Sequence, residues 1–514
     1  MIRDSKKFDL IVIGAGSGLE VAKAAAQGGL KVALIEKDKM GGTCLNRGCI
    51  PSKLLIHSAD IMEIIKQSDT FGININGKIS VDFEKIVNRV NSIVDSASEG
   101  IKEAYLHIDN PKLFHNNCKF IGTKELLLQE ENTSTSTSIR TEVGNNLSGD
   151  NSTNGQTVTA EKILVASGSR PRIPNIKGLM ESGFITSDEA LSLKKQPDDL
   201  TIIGGGYICC ELAHFFGSLG TKINIIQRRN KLIPNEDEEI SQRLTDIFAK
   251  KYSLYLGYSA ESVSNKMKNT SSDVNSHDAE RTNATSSMIY RVKVKNISSG
   301  STTELESDQL LIAVGRIPNS DILDLRKTGV SVDDRGFILT DEYLETNIQG
   351  IFALGDVIGR YQFKHSANLE ARYTYHNIVQ EDEKVPIDYT AMPHAIFTSP
   401  QIAGVGATEQ SLKAQGKIED IDYVKSIYPF INTGMGLAIE DNEGFAKFLV
   451  DKESRKILGC HIIGTDASVL IHEVLIAMKT FDAMGKMGTI DSVGRTVHIH
   501  PALSEVVARA ASQI

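Results

Sequence analysis

The sequence predicts an α/β fold that contains two similar units, because one pattern of strand, turn and helix occurs twice. In each unit an apolar strand runs into a glycine-rich turn, a helix follows, and a second apolar strand closes the unit. These elements are expected at residues 8–13, 14–18, 19–28 and 31–35, and again at 200–203, 204–206, 211–219 and 222–226. Continuous apolar strands that alternate with helices are typical of a parallel sheet covered on both faces. The repeat therefore predicts two separate Rossmann-like domains.

Composition and charge exclude several classes of protein. The 514 residues are 40% hydrophobic and 24% charged, which is the balance of an ordinary globular protein. With 65 acidic and 56 basic side chains the net charge is −9, so no basic footprint for nucleic acid is expected. The apolar runs are far shorter than the ~20 residues that cross a bilayer, and no apolar targeting segment opens the sequence. Six cysteines do not make a disulfide scaffold, so we expect a cytoplasmic protein. From the charge and the short apolar runs we expect it to bind neither nucleic acid nor membrane.

Two low-complexity segments interrupt this plan. Residues 131–157 and 262–287 are rich in Ser, Thr and Asn and contain few apolar side chains. Such segments cannot bury enough apolar surface to order themselves. We expect both to form solvated hairpin extensions or disordered loops.

The first glycine-rich turn is predicted to bind a dinucleotide. Gly14, Gly16 and Gly18 follow a strand and open a helix, so a pyrophosphate can approach the backbone at the helix N-terminus. Glu36 ends the second strand, where a carboxylate accepts hydrogen bonds from an adenosine ribose. One departure is Leu19, which occupies the third glycine position, so that the helix is expected to pack more loosely on the strand or to be helped by Gly18.

Residues 41–53 read GGTCLNRGCIPSK and predict redox chemistry. A disulfide between Cys44 and Cys49 needs Cα atoms within about 7 Å, so a helical turn there must be distorted, and Gly48 permits the distortion. A strained, accessible disulfide is readily reduced. The other four cysteines are scattered and complete neither a zinc nor an iron–sulfur ligand set, so no metal site is expected. The alternative is two unrelated buried thiols.

The same run resembles the redox-active segment of the class I flavin-containing pyridine nucleotide–disulfide oxidoreductases. This family includes dihydrolipoamide dehydrogenase, glutathione reductase and mycothione reductase. Four further segments resemble it, namely ILVASGSRPRIP (163–174), LLIAVGRIPN (310–319), TNIQGIFALGDV (346–357) and HIHPALSE (498–505). The resemblance spans almost the whole chain except the two low-complexity segments. It implies an FAD domain at residues 1–174 and 317–386, an NAD(P)-binding domain at 175–316, and a C-terminal α+β dimerisation domain at 387–514.

The resemblance also implies roles for the site residues. Cys49 would be the flavin-proximal thiolate, Cys44 the thiol that exchanges with substrate, and His500 an acid–base group held by Glu505 and supplied by the other subunit of a homodimer. His498 is interpreted as packing. Lys53 and Glu211 would form an ion pair beside the flavin, the alternative being a surface contact between helices. The remaining FAD contacts would be Gly42, Thr43, Ser167, Gly168, Gly315, Gly355 and Asp356.

The second glycine-rich turn, with Gly204 and Gly206, is predicted to bind the nicotinamide cofactor. Tyr207 resembles a tyrosine that covers the flavin in some members of the family, although simple packing explains an aromatic there equally well. NAD-selective domains end the second strand with a carboxylate, whereas an arginine there accommodates a 2′-phosphate. This chain has Gln227 followed by Arg228 and Arg229, which favours NADPH.

These features predict an FAD enzyme that moves electrons between NAD(P)H and a disulfide or dithiol through Cys44 and Cys49. The leading expectation is a dihydrolipoamide dehydrogenase-like activity on a small-molecule or lipoyl substrate. The alternative is an NADPH-dependent reductase of a low-molecular-weight thiol disulfide, as in mycothione or glutathione reductase. Mercuric reductase is disfavoured because no C-terminal cysteine pair follows Cys460. A subunit that carries a flavin without turnover would not need the complete set of cysteines, histidine and glutamate.

Overall fold

The computed structural model describes residues 5–129, 155–267, 288–482 and 484–514. In chain order the strands are β1 Ser5–Ile13, β2 Val32–Glu36, β3 Lys112–His115, β4 Asn117–Gly122, β5 Glu125–Gln129, β6 Thr157–Val165, β7 Ser169–Pro171, β8 Asp199–Ile203, β9 Lys222–Gln227, β10 Ser253–Leu256, β11 Tyr258–Met267, β12 Met288–Asn296, β13 Thr302–Ser307, β14 Gln309–Ile312, β15 Arg316–Pro318, β16 Ile351–Ala353, β17 Pro393–Ile396, β18 Gln401–Gly406, β19 Tyr423–Pro429, β20 Phe445–Asp451 and β21 Ile457–Gly464.

The helices alternate with these strands in the two regions where the sequence pattern repeats. In chain order they are α1 Gly18–Gln27, α2 Gly42–Arg47, α3 Cys49–Lys66, α4 Phe83–Leu106, α5 Leu179–Ser182, α6 Ser187–Ala190, α7 Tyr207–Ser218, α8 Glu238–Lys251, α9 Lys364–Val379, α10 Glu409–Ala414, α11 Gly434–Ala438, α12 Ala467–Lys479, α13 Asp491–Gly494 and α14 Glu505–Ala511. Short 3₁₀ turns include Gly355–Val357, directly after β16.

The first of two compact units contains the described residues of 1–54, 85–172 and 315–388. Its main sheet has the order β3-β2-β1-β6-β5-β4, and β16 also pairs with β6. Strands β3, β2, β1, β6 and β16 run parallel, whereas β5 and β4 are antiparallel additions. Apolar side chains of β1, β2 and β6 are fully buried on both faces of the sheet, as a doubly wound sheet requires.

The second unit contains the described residues of 55–84, 173–314 and 389–514. Its parallel sheet has the order β10-β9-β8-β14, which corresponds to the order β3-β2-β1-β6 of the parallel strands in the first unit. An antiparallel sheet, β11-β12-β13, lies in the same stretch of chain. Residues 393–464 form a five-stranded antiparallel sheet, β17-β18-β21-β20-β19, whose core includes α12 and α14. The α/β fold class predicted from the repeat is confirmed.

Two expected boundaries differ from the structure. Helix α7 begins at Tyr207 and not at residue 211, because Gly206 is already its N-cap and Cys209 and Cys210 are buried in its first turns. Thr157, at the end of the first low-complexity segment, already starts β6. Residues 262–267 belong to β11 and pair with β12 in an antiparallel hairpin, which agrees with the expected hairpin extension and excludes the alternative of a loop there. The rest of the two low-complexity segments, 131–154 and 268–287, lies outside the described residues.

Within the parts of the chain that the structure describes, no helix is both long and apolar enough to span a membrane.

We predict that Gly14→Ala destabilises the first unit more than Gly29→Ala does. Both glycines have positive φ, +104° and +93°, so both variants carry similar backbone strain. A Cβ at Gly14 would stand 2.3 Å from the Ala166 carbonyl oxygen, whereas a Cβ at Gly29 would meet nothing within 4 Å. Overpacking typically costs about 1–3 kcal/mol, which is the expected difference between the two variants in the free energy of unfolding. Equal values from denaturant titration would contradict the prediction.

Candidate functional site

The first glycine-rich turn joins β1 to α1 and is closed by backbone contacts. Gly14 has a φ of +104° and leaves no room for a side chain beside the Ala166 carbonyl oxygen. A Cβ on Gly18 would lie 2.9 Å from Val12 Cγ1 and 3.0 Å from Ala166 Cβ. Gly18 therefore allows the close approach of α1 to the sheet, despite the departure at Leu19.

The N-terminus of α2 lies against this turn. Gly42, the first residue of α2, has a φ of +68°, and a Cβ there would stand 2.6 Å from Gly16 Cα. A Cβ on Gly16 would meet only Gly42 within 4 Å, at 3.7 Å, so the turn is open on its other side. Thr43 follows in α2. The turn and α2 together form a cradle in which a ligand can approach the backbone closely.

The carboxylate of Glu36, at the end of β2, is directed into the same turn. Its Oε2 accepts a hydrogen bond from the Ala15 amide at 2.8 Å, and its Oε1 accepts from the amides of Lys37 and Asp38 at 2.8 and 2.9 Å. Burial raises the pKa of Glu36, although these three amide donors act in the opposite direction. The sequence-predicted carboxylate thus also organises the backbone of its own turn.

Residues after β6 form a second part of the first-unit site. The Ser167 side-chain oxygen is buried and has no hydrogen-bond partner among the described residues. Gly168 and Gly315 have φ values of +69° and +107°, and a Cβ on either would meet nothing within 4 Å. Asn319 donates from Nδ2 to the Ser167 carbonyl oxygen at 2.8 Å, which holds this segment in place.

Asp356 lies in the 3₁₀ turn after β16 and is anchored by two neighbours. Ser169 Oγ donates to Asp356 Oδ2 at 2.6 Å, and Arg316 Nε donates to Ser169 Oγ at 2.7 Å. The Gly355 amide donates to the buried Glu370 carboxylate at 2.6 Å. The first unit therefore brings Asp356 and Gly355 into a hydrogen-bonded network with residues of β7 and α9.

The two cysteines predicted to be redox-active flank a break between helices. Helix α2 ends at Arg47, and α3 begins at Cys49, with Gly48 between them at φ −145° and ψ −116°. A Cβ on Gly48 would lie 3.0 Å from the Thr43 carbonyl oxygen and 3.4 Å from Cys44 Cα. The expected distortion at Gly48 is present, and it brings the second thiol back toward the first.

The thiols of Cys44 and Cys49 influence each other directly. A hydrogen bond with Cys49 is the largest of the effects that raise the pKa of Cys44, and burial adds to it, whereas the Lys364 ammonium acts to lower it. Cys44 is half-buried and Cys49 is exposed. The contact with Cys49 therefore keeps the Cys44 thiol protonated to a higher pH than an isolated cysteine.

Lys53 and Glu211 belong to different compact units. Lys53 is half-buried on α3, one turn after Cys49. Glu211 is buried on α7, and its Oε1 accepts a hydrogen bond from the Phe397 amide at 3.0 Å. The buried position of Glu211 excludes a purely surface role for this carboxylate.

The second glycine-rich turn, between β8 and α7, reproduces the geometry of the first. Gly204 has a φ of +124°, and a Cβ there would stand 2.2 Å from the Ala313 carbonyl oxygen. Gly206 is the N-cap of α7, and a Cβ on it would meet nothing within 4 Å. The amide end of α7 is therefore open at Gly206, and the neighbouring Tyr207 side chain is exposed.

The residues after β9 lie beside this turn. A Cβ on Gly205 would stand 2.7 Å from Gln227 Nε2, and Gln227 Oε1 accepts from the Arg228 amide at 2.8 Å. Arg228 and Arg229 are exposed. A pocket of about 270 Å³ adjoins them, and its lining includes Arg229, Asn230, Lys231, Pro234, Glu236 and Gln410.

His500 and Glu505 form a hydrogen-bonded pair in the second unit. His500 Nδ1 lies 3.0 and 3.1 Å from the two carboxylate oxygens of Glu505. A carboxylate can only accept, so Nδ1 carries the proton and Nε2 is left to exchange protons with a reactant. The His500 side chain is 72% exposed, whereas that of Glu505 is 8% exposed. The hydrogen bond from His500 lowers the pKa of Glu505.

The other histidine of the same segment has a different environment. His498 Nε2 lies 3.0 Å from Glu473 Oε2, Nδ1 lies 2.9 Å from the Thr496 carbonyl oxygen, and the side chain is 10% exposed. Burial raises the pKa of Glu473. This placement agrees with the interpretation of His498 as a packing residue.

Sequence reasoning missed several polar residues that organise the site. Lys364 Nζ donates to Ser17 Oγ at 2.8 Å and acts on Cys44, and Arg316 and Glu370 complete the network around Asp356. Lys364 lies 347 positions from Ser17, Arg316 lies 147 from Ser169 and Glu370 lies 15 from Gly355, and only the resemblance of the segment around residues 310–319 pointed near one of them. Among the described residues, no group of three or more His, Cys, Asp or Glu side chains is arranged to hold a metal ion.

Comparison with known proteins identifies two family models in this chain. The model described as pyridine nucleotide-disulphide oxidoreductase matches residues 8–371. The model described as the dimerisation domain of the pyridine nucleotide-disulphide oxidoreductases matches residues 392–511.

Relatives match over nearly the full chain. A dihydrolipoyl dehydrogenase of Chlamydia muridarum is 33% identical over 511 residues, which cover 99% of this chain and 97% of the relative. One of Bacillus subtilis is 32% identical over 519 residues, with 98% and 97% covered. Among solved structures, the Cu(II) complex of the HOCl-induced flavoprotein disulfide reductase RclA from Escherichia coli matches with a TM-score of 0.78 and 25% identity, and the match covers 99% of this chain and 100% of that one.

We predict that Cys49→Ala makes Cys44 more reactive toward iodoacetamide. The substitution removes the hydrogen bond that is the main cause of the raised Cys44 pKa. At a fixed pH below the pKa of Cys44, lowering that pKa by one unit raises the thiolate fraction about tenfold, and the alkylation rate rises with the thiolate fraction. The measurement is a pH–rate profile of the reduced protein with alkylated peptides identified by mass spectrometry.

The control for this experiment is Cys44→Ala, which leaves only Cys49 of the pair. The other four cysteines are buried and react slowly in every variant. An unchanged profile for Cys44 after loss of Cys49 would show that the two thiols are not coupled.

Proposed function

Because the chain belongs to the pyridine nucleotide-disulphide oxidoreductase family, we propose that it exchanges electrons between a nicotinamide cofactor and a disulfide or dithiol substrate through Cys44 and Cys49. The chain is an enzyme of a family that uses FAD and NAD(P)H. The observation that carries the proposal is the pair of coupled thiols across the break at Gly48.

The residues present fit these cofactors. The buried, unpartnered oxygen of Ser167 needs a donor or acceptor, and the open faces of Gly16, Gly168 and Gly315 are positions that a Cβ would fill. We propose that the first unit holds FAD with the residues named above, from Gly14 to Asp356, and that residues 175–316 bind the nicotinamide cofactor at Gly204, Gly206 and Tyr207. When bound, FAD supplies two-electron transfer between the nicotinamide and the cysteine pair.

The chemistry of the thiols follows from their placement. In the reducing direction His500 Nε2 takes the proton of the Cys44 thiol, and the Cys44 thiolate attacks one sulfur of the substrate disulfide. A mixed disulfide forms, the other substrate sulfur leaves as a thiolate, and the His500 imidazolium returns the proton to it. The Cys49 thiol then gives up its proton as its sulfur attacks the Cys44 sulfur, the second substrate sulfur leaves as a thiolate and takes that proton, and a Cys44–Cys49 disulfide remains. One dithiol and one disulfide have exchanged two electrons.

The supporting residues have separate tasks in this proposal. Glu505 fixes the His500 tautomer and orientation and stabilises the imidazolium that forms, because its carboxylate accepts from Nδ1. Lys53 and Glu211 are proposed as an ion pair next to the flavin. We further propose a homodimer in which His500 serves the cysteines of the other subunit, since the family model at residues 392–511 is a dimerisation domain. A cytoplasmic location is proposed from the sequence, because six scattered cysteines in 514 residues do not make a disulfide scaffold.

The favoured substrate is dihydrolipoamide or a lipoyl group, on the basis of the dihydrolipoyl dehydrogenases that match almost the full chain. An NADPH-dependent reductase of a small thiol disulfide is the second candidate, because Gln227, Arg228 and Arg229 follow β9 in place of a carboxylate. Steady-state assays with dihydrolipoamide and NAD⁺, and with oxidised small thiols and NADPH, separate the two. No turnover with either class would contradict the proposal.

We expect His500→Ala to lower kcat by about 10²- to 10⁴-fold, which is the usual contribution of a positioned proton-transfer group. The assay is steady-state turnover with whichever sulfur substrate the wild type accepts. His498→Ala is the matched control, because this buried neighbour contacts Glu473 and is not assigned to proton transfer. Similar losses in both variants would contradict the acid–base role of His500.

We expect the double variant Arg228→Ala/Arg229→Ala to raise KM for NADPH about tenfold and to leave KM for NADH nearly unchanged. A 2′-phosphate bound by arginine makes charge-assisted hydrogen bonds, each worth about 1.5–3 kcal/mol. Lys222→Ala is the control, since it removes a positive charge from the exposed start of the same strand. A wild type that prefers NADH, or an unchanged ratio of kcat/KM for the two cofactors, would contradict the role of the arginines and favour the lipoyl substrate.

A further inference from the structure

One lysine of the second unit is completely enclosed by protein. The side chain of Lys447, on β20, is 0% exposed, and its Nζ lies 2.9 Å from Asp237 Oδ1, 2.8 Å from Glu239 Oε2 and 2.6 Å from Glu409 Oε2. Burial alone would lower the pKa of Lys447, but its hydrogen bonds to Glu239 and Glu409 outweigh burial and raise that pKa. A buried ammonium persists only where carboxylates compensate for its lost hydration, and here three do so.

The carboxylates around Lys447 come from two different stretches of chain. Asp237 and Glu239 lie at the end of the segment that starts directly after β9 and runs into the first residues of α8, which we call the 228–239 segment. Asp237 is the N-cap of α8 and accepts from the Glu239 amide at 3.2 Å. It also accepts from the Glu409 amide, at the start of α10, at 3.0 Å. Lys447 therefore links the end of the 228–239 segment to β20 and α10.

Three further contacts fix the same end of the segment. Gln410 donates from Nε2 to the Glu236 carbonyl oxygen at 2.7 Å and accepts from the Glu238 amide at 3.2 Å. His394 Nε2 lies 2.6 Å from Glu236 Oε2. These contacts all come from residues 389–514, which are outside the predicted nicotinamide-binding domain.

The other end of the segment carries the groups assigned to the cofactor. Arg228 and Arg229 follow β9, and Arg229 lines the pocket of about 270 Å³ together with Gln410. Between the two ends, the Ile233 amide donates to the Gly205 carbonyl oxygen at 2.7 Å, within the second glycine-rich turn. The 228–239 segment thus connects both arginines, through the chain, and the second glycine-rich turn, through the Ile233–Gly205 hydrogen bond, to Asp237 and Glu239.

We propose that Lys447 is a positioning residue for the nicotinamide cofactor, acting through Asp237, Glu239 and Glu409 on the 228–239 segment. The inference rests on the proposed function, in which this segment and the second glycine-rich turn bind that cofactor. Without the ammonium, the buried carboxylates of Asp237 and Glu409 and the partly exposed carboxylate of Glu239 would face one another and would repel each other. Their separation displaces the segment, and with it Arg229 and the wall of the pocket.

The test compares Lys447→Met with Lys425→Met in the holoenzyme. Methionine keeps most of the length of the lysine side chain and is apolar. Lys425 is the matched control, because it also contacts Glu409, at 3.1 Å, but lies partly exposed. The readouts are the Kd of adenosine 2′,5′-bisphosphate by calorimetry, KM for NADH and NADPH, kcat, and KM for the sulfur substrate.

Lys447→Met is expected to raise the nucleotide Kd and KM by roughly 2- to 30-fold, the range found for residues coupled to a site that they do not contact. The values of kcat and of KM for the sulfur substrate remain those of the wild type. Lys425→Met changes none of these. Equal nucleotide Kd values for the two lysine variants would overturn the proposal and leave Lys447 with a structural role only.

If Lys447→Met does not fold, Glu409→Gln decides the question, because it removes one carboxylate from the cluster and keeps the lysine with two. The expected result is a higher nucleotide Kd than in Lys425→Met, and an unchanged Kd overturns the proposal.

The Arg228→Ala/Arg229→Ala variant distinguishes a failure of the proposed cofactor site from a failure of the role proposed for Lys447. If that variant binds the nucleotides as the wild type does, the assignment of the segment to the cofactor is wrong. If it binds them more weakly while the cluster variants do not, only the role of Lys447 is wrong.

Discussion

Both glycine-rich turns depend on the same backbone constraint: the first glycine of each turn lies against the residue that follows a neighbouring parallel strand, β6 in the first unit and β14 in the second. A Cβ would stand 2.3 Å from the Ala166 carbonyl oxygen at Gly14 and 2.2 Å from the Ala313 carbonyl oxygen at Gly204. Each glycine amide also donates to a carbonyl of the neighbouring strand, at 2.8 and 2.9 Å. Only a residue without a side chain fits so close to that carbonyl oxygen. The tight turn that results places the N-terminus of the next helix at the carboxyl ends of the strands, where ligands bind in such sheets.

The redox pair depends on a comparable constraint at Gly48. Five residues of continuous helix would place Cys44 and Cys49 on diverging faces, so their thiols could not meet. The break between α2 and α3 removes this obstacle, and the neighbouring Thr43 carbonyl oxygen leaves no space for a side chain at position 48. The raised pKa of Cys44, caused first by its hydrogen bond with Cys49, is therefore a consequence of backbone geometry, which the sequence encodes in one glycine.

Local patterns in the sequence were sufficient to predict the two turns, their strands and the pair of cysteines. They failed where tertiary contacts decide the outcome. The start of α7 at Tyr207 depends on buried packing of its first turns, and pairing with β12 decides between the hairpin and the loop that the sequence left open for residues 262–267. The network of Arg316 with Asp356, and the enclosure of Lys447, join residues far apart in the chain, so no short-range signal announces them.

Charge around the end of β9 shows how the same tertiary contacts bear on cofactor choice. Gln227 occupies the position where a carboxylate would bind a ribose hydroxyl, and its side chain packs over Gly205. Two carboxylates do line the pocket with Arg229, but each has a partner of its own, because Glu236 contacts His394 at 2.6 Å and Glu238 contacts Lys231 at 2.8 Å. The hydrogen bond from Lys231 lowers the pKa of Glu238, which keeps that ion pair charged. The proposed preference for a 2′-phosphate therefore depends on the partners of these acidic residues as much as on the arginines themselves.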